Sequence, residues 1–192
     1  MKKRLLALTM AGMMVFGGAF SAMATEAQTE AESETIPEVT VDMADFDAYE
    51  GTWVNFEAGF SLYLPSDWDV LEVSDEDAEN DIIYEVKAPE GSDQNIALAV
   101  SATDVGKDCD LQQVFDEVTD SGCEDVQKGI INGISVVAFE TDSSYGEAFL
   151  DDNGIMYSVQ VGPRDEEIVT LAANILSTLR PTETVETEAA AN

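Results

Sequence analysis

Residues 126–141 of the chain read VQKGIINGISVVAFET, and the architecture follows from this stretch. Two apolar segments, 126–131 and 134–141, flank the dipeptide Asn132-Gly133. Asn-Gly between apolar segments is the strongest short-range signal for a β-hairpin, because both residues tolerate the positive φ of a tight turn. The stretch therefore predicts two antiparallel strands joined by a two-residue turn.

Further strands are predicted on both sides of this hairpin. A second hairpin follows it, with apolar segments on either side of Asp152-Asn153-Gly154. The residues Asp151, Asp152 and Asn153 are explained as turn chemistry. Apolar segments, most of them alternating with polar residues, predict the remaining strands at 53–56, 60–64, 69–73, 82–88, 96–103, 146–150 and 155–161.

Two segments carry apolar residues at helical spacing. The first starts after Asp110, which is suited to cap a helix that has Gln113 in its first turn. Its apolar stripe is Leu111, Val114, Phe115 and Val118, and that of the second segment is Ile168, Leu171, Ala172, Ile175, Leu176 and Leu179. The predicted fold class is therefore α+β, an antiparallel sheet with helices packed on its faces.

Composition excludes several classes of function. The 192 residues include 40 Asp and Glu, 8 Lys and Arg, and no His, for a formal net charge of −32. Without histidine there is no Ser-His or Cys-His catalysis, no imidazole metal ligand and no histidine pH switch. So acidic a chain lacks the positive surface that nucleic-acid binding requires, and its electrostatic partners are metal cations or basic proteins.

The first 24 residues are typical of an export signal. Three cations at 2–4 precede an apolar run at 5–20, and Ala22-Met23-Ala24 offers a cleavage site between small residues. A membrane anchor is the less favoured alternative, because the run contains glycines and is shorter than the ~20 apolar residues of a spanning helix. We expect cleavage after Ala24, a secreted or extracytoplasmic location, and no integral membrane segment in the mature chain.

Two further segments lack an apolar period. Residues 25–46 and 182–192 are rich in Thr, Glu and Ala. Such segments cannot bury enough apolar surface to offset the entropy of ordering. They are predicted to be a disordered linker and a disordered tail, which leaves 47–181 as the folded domain.

One motif resembles a known family. The segment Gly59-Phe60-Ser61-Leu62-Tyr63-Leu64 followed by Pro65-x-x-Trp68 is similar to the opening of many PsbP-like domains, and the order of elements is similar from 53 to 181. That fold group includes extrinsic photosystem proteins, a eukaryotic Ran-binding factor and DcrB-like bacterial envelope proteins. The resemblance implies an α/β/α sandwich with a non-enzymatic binding or accessory role, and the export signal suits the bacterial exported branch. No catalytic motif is shared, so no catalytic residue and no cofactor is transferred.

An acidic loop predicted at 74–81 is the candidate metal site. Its carboxylates alternate along the chain, at Asp75, Asp77, Glu79 and Asp81. Calcium takes six to eight oxygen ligands, to which alternate loop carboxylates contribute. The EF-hand pattern fails, because Asn80 and Val86 stand where Gly and Glu are required. A solvated loop without metal is the simpler interpretation.

Cys109 and Cys123 are predicted to stay unbridged. They lie on either side of a predicted helix that is ~16 Å long at 1.5 Å per residue. Bridged Cα atoms lie within about 7 Å of each other, so closure would need a shortened helix or a sharp chain reversal.

Three functions are compatible with these features. The leading one is an exported non-enzymatic domain that engages an unidentified protein partner in the envelope or extracellular space. Tyr145, beside Gly146, is the residue expected to be exposed for such a contact. The alternatives are an extracellular divalent-cation module that uses the acidic loop, and a small carboxylate-dependent hydrolase.

Overall fold

The computed structural model describes residues 36–92 and 95–182. The predicted signal peptide, residues 25–35 of the predicted linker and residues 183–192 of the predicted tail lie outside the described residues. The described part contains eleven strands in two sheets and three helices, which confirms the α+β class. None of these helices is long and apolar enough to cross a membrane.

The strands and helices are assigned as follows. In chain order the strands are β1 (Glu38–Val39), β2 (Gly51–Asn55), β3 (Phe60–Pro65), β4 (Asp69–Val70), β5 (Ile82–Lys87), β6 (Ala97–Asp104), β7 (Glu124–Ile131), β8 (Ile134–Glu140), β9 (Tyr145–Leu150), β10 (Ile155–Gly162) and β11 (Arg180–Pro181). The helices are α1 (Asp75–Glu79), α2 (Leu111–Asp120) and α3 (Val169–Leu176). The main sheet has eight strands in the order β1-β7-β8-β9-β10-β6-β5-β4, and the small sheet has the order β11-β3-β2. Neighbouring strands run antiparallel, except that β1 lies parallel to β7.

The hairpin predicted at Asn132-Gly133 is confirmed. Asn132 has a φ of 47° and Gly133 a φ of 87°, the two positive values that a tight two-residue turn needs. The amide of the Asn132 side chain also donates to the carbonyl oxygens of Ser177 and Leu179, at 3.0 and 2.8 Å. The turn therefore fastens the main sheet to the segment that follows α3.

Residues of β8 alternate between two apolar cores. Val136 faces the main core, which lies between the main sheet, α3 and the small sheet. Val137 and Phe139 face a smaller core that Val114 of α2 covers. Because successive strand residues point to opposite faces, a strand covered on both faces is apolar at nearly every position. This explains the uninterrupted apolar run in β8.

The cap of α2 forms as the sequence predicts. The Asp110 carboxylate accepts a hydrogen bond from the backbone N–H of Gln113, and the Gln113 side chain accepts one from the backbone N–H of Asp110, both at 2.9 Å. This reciprocal capping box satisfies two N–H groups that have no partner within the helix.

The last helix is shorter than its apolar spacing predicts. The spacing continues to Leu179, but α3 ends at Leu176. The backbone N–H groups of Thr178 and Leu179 bond to carbonyls three residues back, which tightens the chain into a turn. The chain then enters the small sheet, where Arg180 lies opposite Ser61.

The domain begins earlier than predicted. The sequence predicts a linker up to residue 46, but Val39 is only 8% exposed and β1 extends the main sheet. The backbone N–H of Ile130 donates to the carbonyl of Pro37 at 2.9 Å. Closer to β2, the Tyr49 hydroxyl donates to the carbonyl of Tyr63 at 2.6 Å. Backbone pairing holds this segment even though its composition is acidic, so the predicted boundary at residue 47 is corrected.

Candidate functional site

The neighbouring strands β8 and β9 of the main sheet separate at one end. The pairing of β8 with β9 ends at Val137 opposite Ala148. However, β8 begins at Ile134 and β9 continues to Leu150. On their outer sides, β8 stays paired with β7 as far as Ile134, and β9 stays paired with β10 as far as Leu150. We call these two separated strand ends, residues 134–136 and 149–150, the fork.

A cleft of about 660 Å³ opens at the fork. This volume lies within the range of small-ligand sites, roughly 300–1,000 Å³. Apolar side chains supply much of its lining, from both strand ends, β10, the start of α2 and the small sheet. These are Phe60, Leu111, Ile134, Phe149, Leu150 and Tyr157.

Three packed aromatic rings form the floor of the cleft. The ring centroid of Phe60 lies 5.0 Å from that of Phe149 and 5.2 Å from that of Tyr157. Phe149 and Tyr157 stack at 5.6 Å. Edge-to-face and offset contacts of this kind hold aromatic rings in place, so the floor consists of ordered core residues that are only 2–8% exposed.

The rim of the cleft is acidic. Asp151 and Asp152 line it, and the lining residues that the structure describes include no lysine or arginine. The Asp151 carboxylate accepts hydrogen bonds from the backbone N–H groups of Asn153 and Ile155, both at 2.8 Å. Burial would raise the pKa of Asp151, but these hydrogen bonds outweigh it and the pKa is lowered. Asp151 is therefore ionised at neutral pH, and Asp152 is exposed beside it.

The acidic stretch at 74–81 is largely a short helix and not the predicted loop. Ser74 caps α1, because its hydroxyl accepts a hydrogen bond from the backbone N–H of Asp77 at 3.1 Å. The first turn of α1 is entirely acidic, and the positive end of the helix dipole favours acids there. Capping and dipole together explain why this polar stretch is helical.

The helix separates the predicted metal ligands. Residues two positions apart on a helix point about 200° apart, so Asp77 points away from Asp75 and Glu79, which lie four positions apart on one face. Asp81 lies beyond α1 and accepts a hydrogen bond from the Thr103 hydroxyl at 2.9 Å. Among the residues that the structure describes, no three His, Cys, Asp or Glu side chains are grouped to hold a metal ion. The calcium site stays a prediction that the geometry does not support.

Tyr145 is buried, and the prediction of its exposure is wrong. Its side chain is only 6% exposed and belongs to the main core. Its hydroxyl donates to the carbonyl of Asp165 at 3.3 Å. The strand β9 begins at Tyr145, so this side chain shares the inward face with Phe149 instead of lying on the preceding turn. The expected partner contact through Tyr145 therefore loses its basis.

Cys109 and Cys123 are free thiols in the structure. Both pack against the small core beneath α2. Burial raises the pKa of both thiols, which favours the protonated, unreactive form. The unbridged state stays a prediction, which a free-thiol assay on the denatured, unreduced protein checks.

Sequence reasoning misses two buried glutamates of the main sheet. Glu140 is 1% exposed and forms an ion pair with Arg164 at 2.6 Å. Glu147 is 5% exposed and lies across from Ala138 and Val159 on the neighbouring strands. The available signal was the strand period, because it places each glutamate on the inward-facing side of an apolar strand. Neither residue lines the cleft.

Solved structures of three other proteins resemble the chain. Cyanobacterial PsbP from Synechocystis sp. PCC 6803 is 11% identical with a TM-score of 0.49, over 66% of this chain and 89% of that chain. LpqN, involved in cell envelope biogenesis of Mycobacterium tuberculosis, is 16% identical with a TM-score of 0.44, over 74% and 99%. A protein from Bacteroides thetaiotaomicron VPI-5482 is 17% identical with a TM-score of 0.42, over 69% of this chain and 49% of its own length.

A PsbP protein is among the structures that this chain resembles. The likeness concerns the fold, and no functional residue is carried over from it. No protein-family profile and no curated protein sequence matches the chain.

Proposed function

We propose that the protein is an exported, non-enzymatic binding domain that engages a protein partner outside the cytoplasm through the cleft at the fork. The signal-like residues 1–24 support export. The absence of histidine from the whole sequence removes the usual base for a serine or cysteine nucleophile and supports a role in binding. The fork is the observation that carries the proposal.

The fork matters because it leaves backbone groups facing a cleft. In an antiparallel sheet, alternate residues direct both their N–H and their C=O toward the same neighbouring strand. Beyond Val137 and Ala148, the groups that β8 and β9 direct toward each other are no longer paired across the sheet. Backbone polar groups need a partner, and an extended peptide presents the matching donors and acceptors. A polypeptide segment is therefore the ligand that suits the fork.

A bulky residue in the cleft tests the proposal. Ser135 lines the cleft and is exposed, so Ser135→Trp should fill the cleft and leave the cores intact. Thr52→Trp is the matched control, because Thr52 is an exposed strand residue of the small sheet. Immobilised mature protein and both variants would be used to capture partners from cultures of the producing cell.

The wild type and Thr52→Trp should retain the same partner, and Ser135→Trp should lose it. Thermal melting of both variants confirms that they are folded. Equal capture by folded Ser135→Trp and Thr52→Trp would contradict the proposal, and so would a failure of the wild type to retain any protein.

The two alternative functions stay predictions, because no contact among the described residues favours them. Calorimetry with calcium checks the cation module, for which binding heat and a raised melting temperature are expected at millimolar calcium. A glycan and peptide substrate panel checks the hydrolase.

A further inference from the structure

We infer that the cleft recognises an extended segment of the partner that carries a lysine or arginine among aliphatic residues. This inference rests on the proposed function and specifies the chemistry of the ligand at the same site. Three properties of the cleft lead to it: its charge, its apolar walls and its unpaired backbone groups.

The charge of the cleft favours a cation. Asp151 and Asp152 lie on its rim, and none of its described lining residues is positively charged. The formal net charge of the chain is −32, so its field draws cations toward its surface in general. A lysine or arginine at the rim would meet two carboxylates there, and none of the described lining residues is a cation that competes for them.

The walls of the cleft favour aliphatic neighbours for that cation. Leu111 and Ile134 line the cleft together with the aromatic rings of Phe60, Phe149 and Tyr157. Lysine and arginine themselves lay an apolar stem along such surfaces while the charged head stays in water. An alternation of aliphatic and basic residues therefore matches the walls and the rim together.

The backbone groups of the fork favour an extended conformation. A β-strand presents one residue in two to each side, which suits a segment that pairs with one strand end and directs alternate side chains to the floor and the rim. The chain's own residues 183–188 are a poor match, because they carry three glutamates that the acidic rim would repel.

Defined peptides test the inference on the mature protein. The probe is a short blocked peptide of alternating valine and lysine with a fluorescent label. Matched peptides carry serine or glutamate in place of lysine. Binding is measured by fluorescence polarisation at low and at physiological salt. The lysine peptide should bind the wild type, the serine peptide should bind more weakly, and the glutamate peptide should not bind.

Two variants that each remove one negative charge test whether the rim of the cleft determines the affinity for the lysine peptide. Asp152→Asn removes one rim charge and should weaken the lysine peptide about fivefold, the size expected of one partly exposed charge pair. Asp142→Asn removes one charge from the turn that joins β8 to β9, at the ends of these strands that lie away from the fork. This variant should leave the affinity for the lysine peptide unchanged. Higher salt should narrow the difference between the two variants.

The outcomes separate the inference from the proposed function. Equal binding of the lysine and serine peptides, or equal effects of the two aspartate variants, would overturn the inference, even if Ser135→Trp still abolished partner capture. If no peptide bound and Ser135→Trp captured the partner normally, both would be overturned. A concentration-dependent dimer that Ser135→Trp abolishes would also overturn the inference, by making a second copy the occupant.

Discussion

Two buried glutamates on adjacent strands of one sheet face have different surroundings. Glu140 lies at the end of β8, where the loop after β10 brings Arg164 within 2.6 Å. Glu147 lies in the middle of β9, between Ala138 and Val159 on the two neighbouring strands. Burial raises the pKa of both carboxyl groups, and the charge of Arg164 opposes this rise at Glu140.

The difference shows that two glutamates on one face of the sheet favour different protonation states. At Glu140 a neighbouring cation favours the charged form and ties the loop before α3 to the sheet. At Glu147 no cation among the described residues opposes burial, so the neutral acid is favoured. The position along the strand explains the contrast, because a loop with a long cation reaches the sheet end but not the sheet centre.

The largest expected effect comes from removing the cation. Arg164→Met should lower the free energy of unfolding by about 3 kcal/mol, because Glu140 would stay buried without its counter-charge. Denaturant unfolding near neutral pH measures this. The double variant Arg164→Met with Glu140→Leu is the control, and it should recover much of the loss. A loss below about 1 kcal/mol in the single variant would show that Glu140, like Glu147, does not depend on a cation.

The next largest effect has the opposite sign. Glu147→Leu should raise the free energy of unfolding by about 1–3 kcal/mol, because it removes a buried polar group from an apolar environment. The same denaturant series measures it. A destabilisation by this substitution would mean that Glu147 has favourable contacts that its surroundings do not reveal.

The pH dependence of the free energy of unfolding reports the protonation of Glu147. The unfolded chain releases this proton at the ordinary glutamate pKa, about 4.3, and the folded protein releases it well above that value. Between the two values each pH unit of increase lowers stability by about 1.4 kcal/mol, and below the unfolded value the penalty is absent. Wild type should therefore lose more stability than Glu147→Gln between about pH 5 and about pH 8. Equal losses of stability in the two proteins would contradict the conclusion that Glu147 is buried as a neutral acid, because the other carboxylates titrate in both proteins.

The smallest expected effect concerns the second carboxylate on Arg164. Glu124 Oε2 lies 2.8 Å from the Arg164 guanidinium, but its side chain is 62% exposed. Glu124→Gln should change the free energy of unfolding by less than about 1 kcal/mol, and salt should reduce the change further. An effect as large as that of Arg164→Met would mean that exposure does not distinguish the two carboxylate partners of this arginine.

Local patterns predicted the hairpins and α2 well. Asn132-Gly133 supplies the backbone freedom of its turn, and Asp110 with Gln113 supplies both halves of a helix cap. In each case the interacting groups lie within a few residues of one another. Such elements depend little on the rest of the fold, so the local sequence determines them.

Contacts between distant segments account for the wrong predictions at Val39 and Tyr145, whereas a local signal accounts for the one at 75–79. The composition around Val39 indicates a linker, yet pairing with β7 orders it. Tyr145 reads as a loop residue but is the first inward-facing residue of β9. The acids at 75–79 form a helix through the cap that Ser74 provides, a local signal that the count of charges concealed.

The order of strands and turns, the helical cap and the lack of histidine chemistry were present in the amino-acid chain, because they depend on composition and on near neighbours. The fork, the meeting of Glu140 with Arg164 and the isolation of Glu147 emerged from folding. They depend on which strands become neighbours and on where their pairing ends. The tertiary structure determines which strands are neighbours and where their pairing ends, and the local sequence pattern does not specify either.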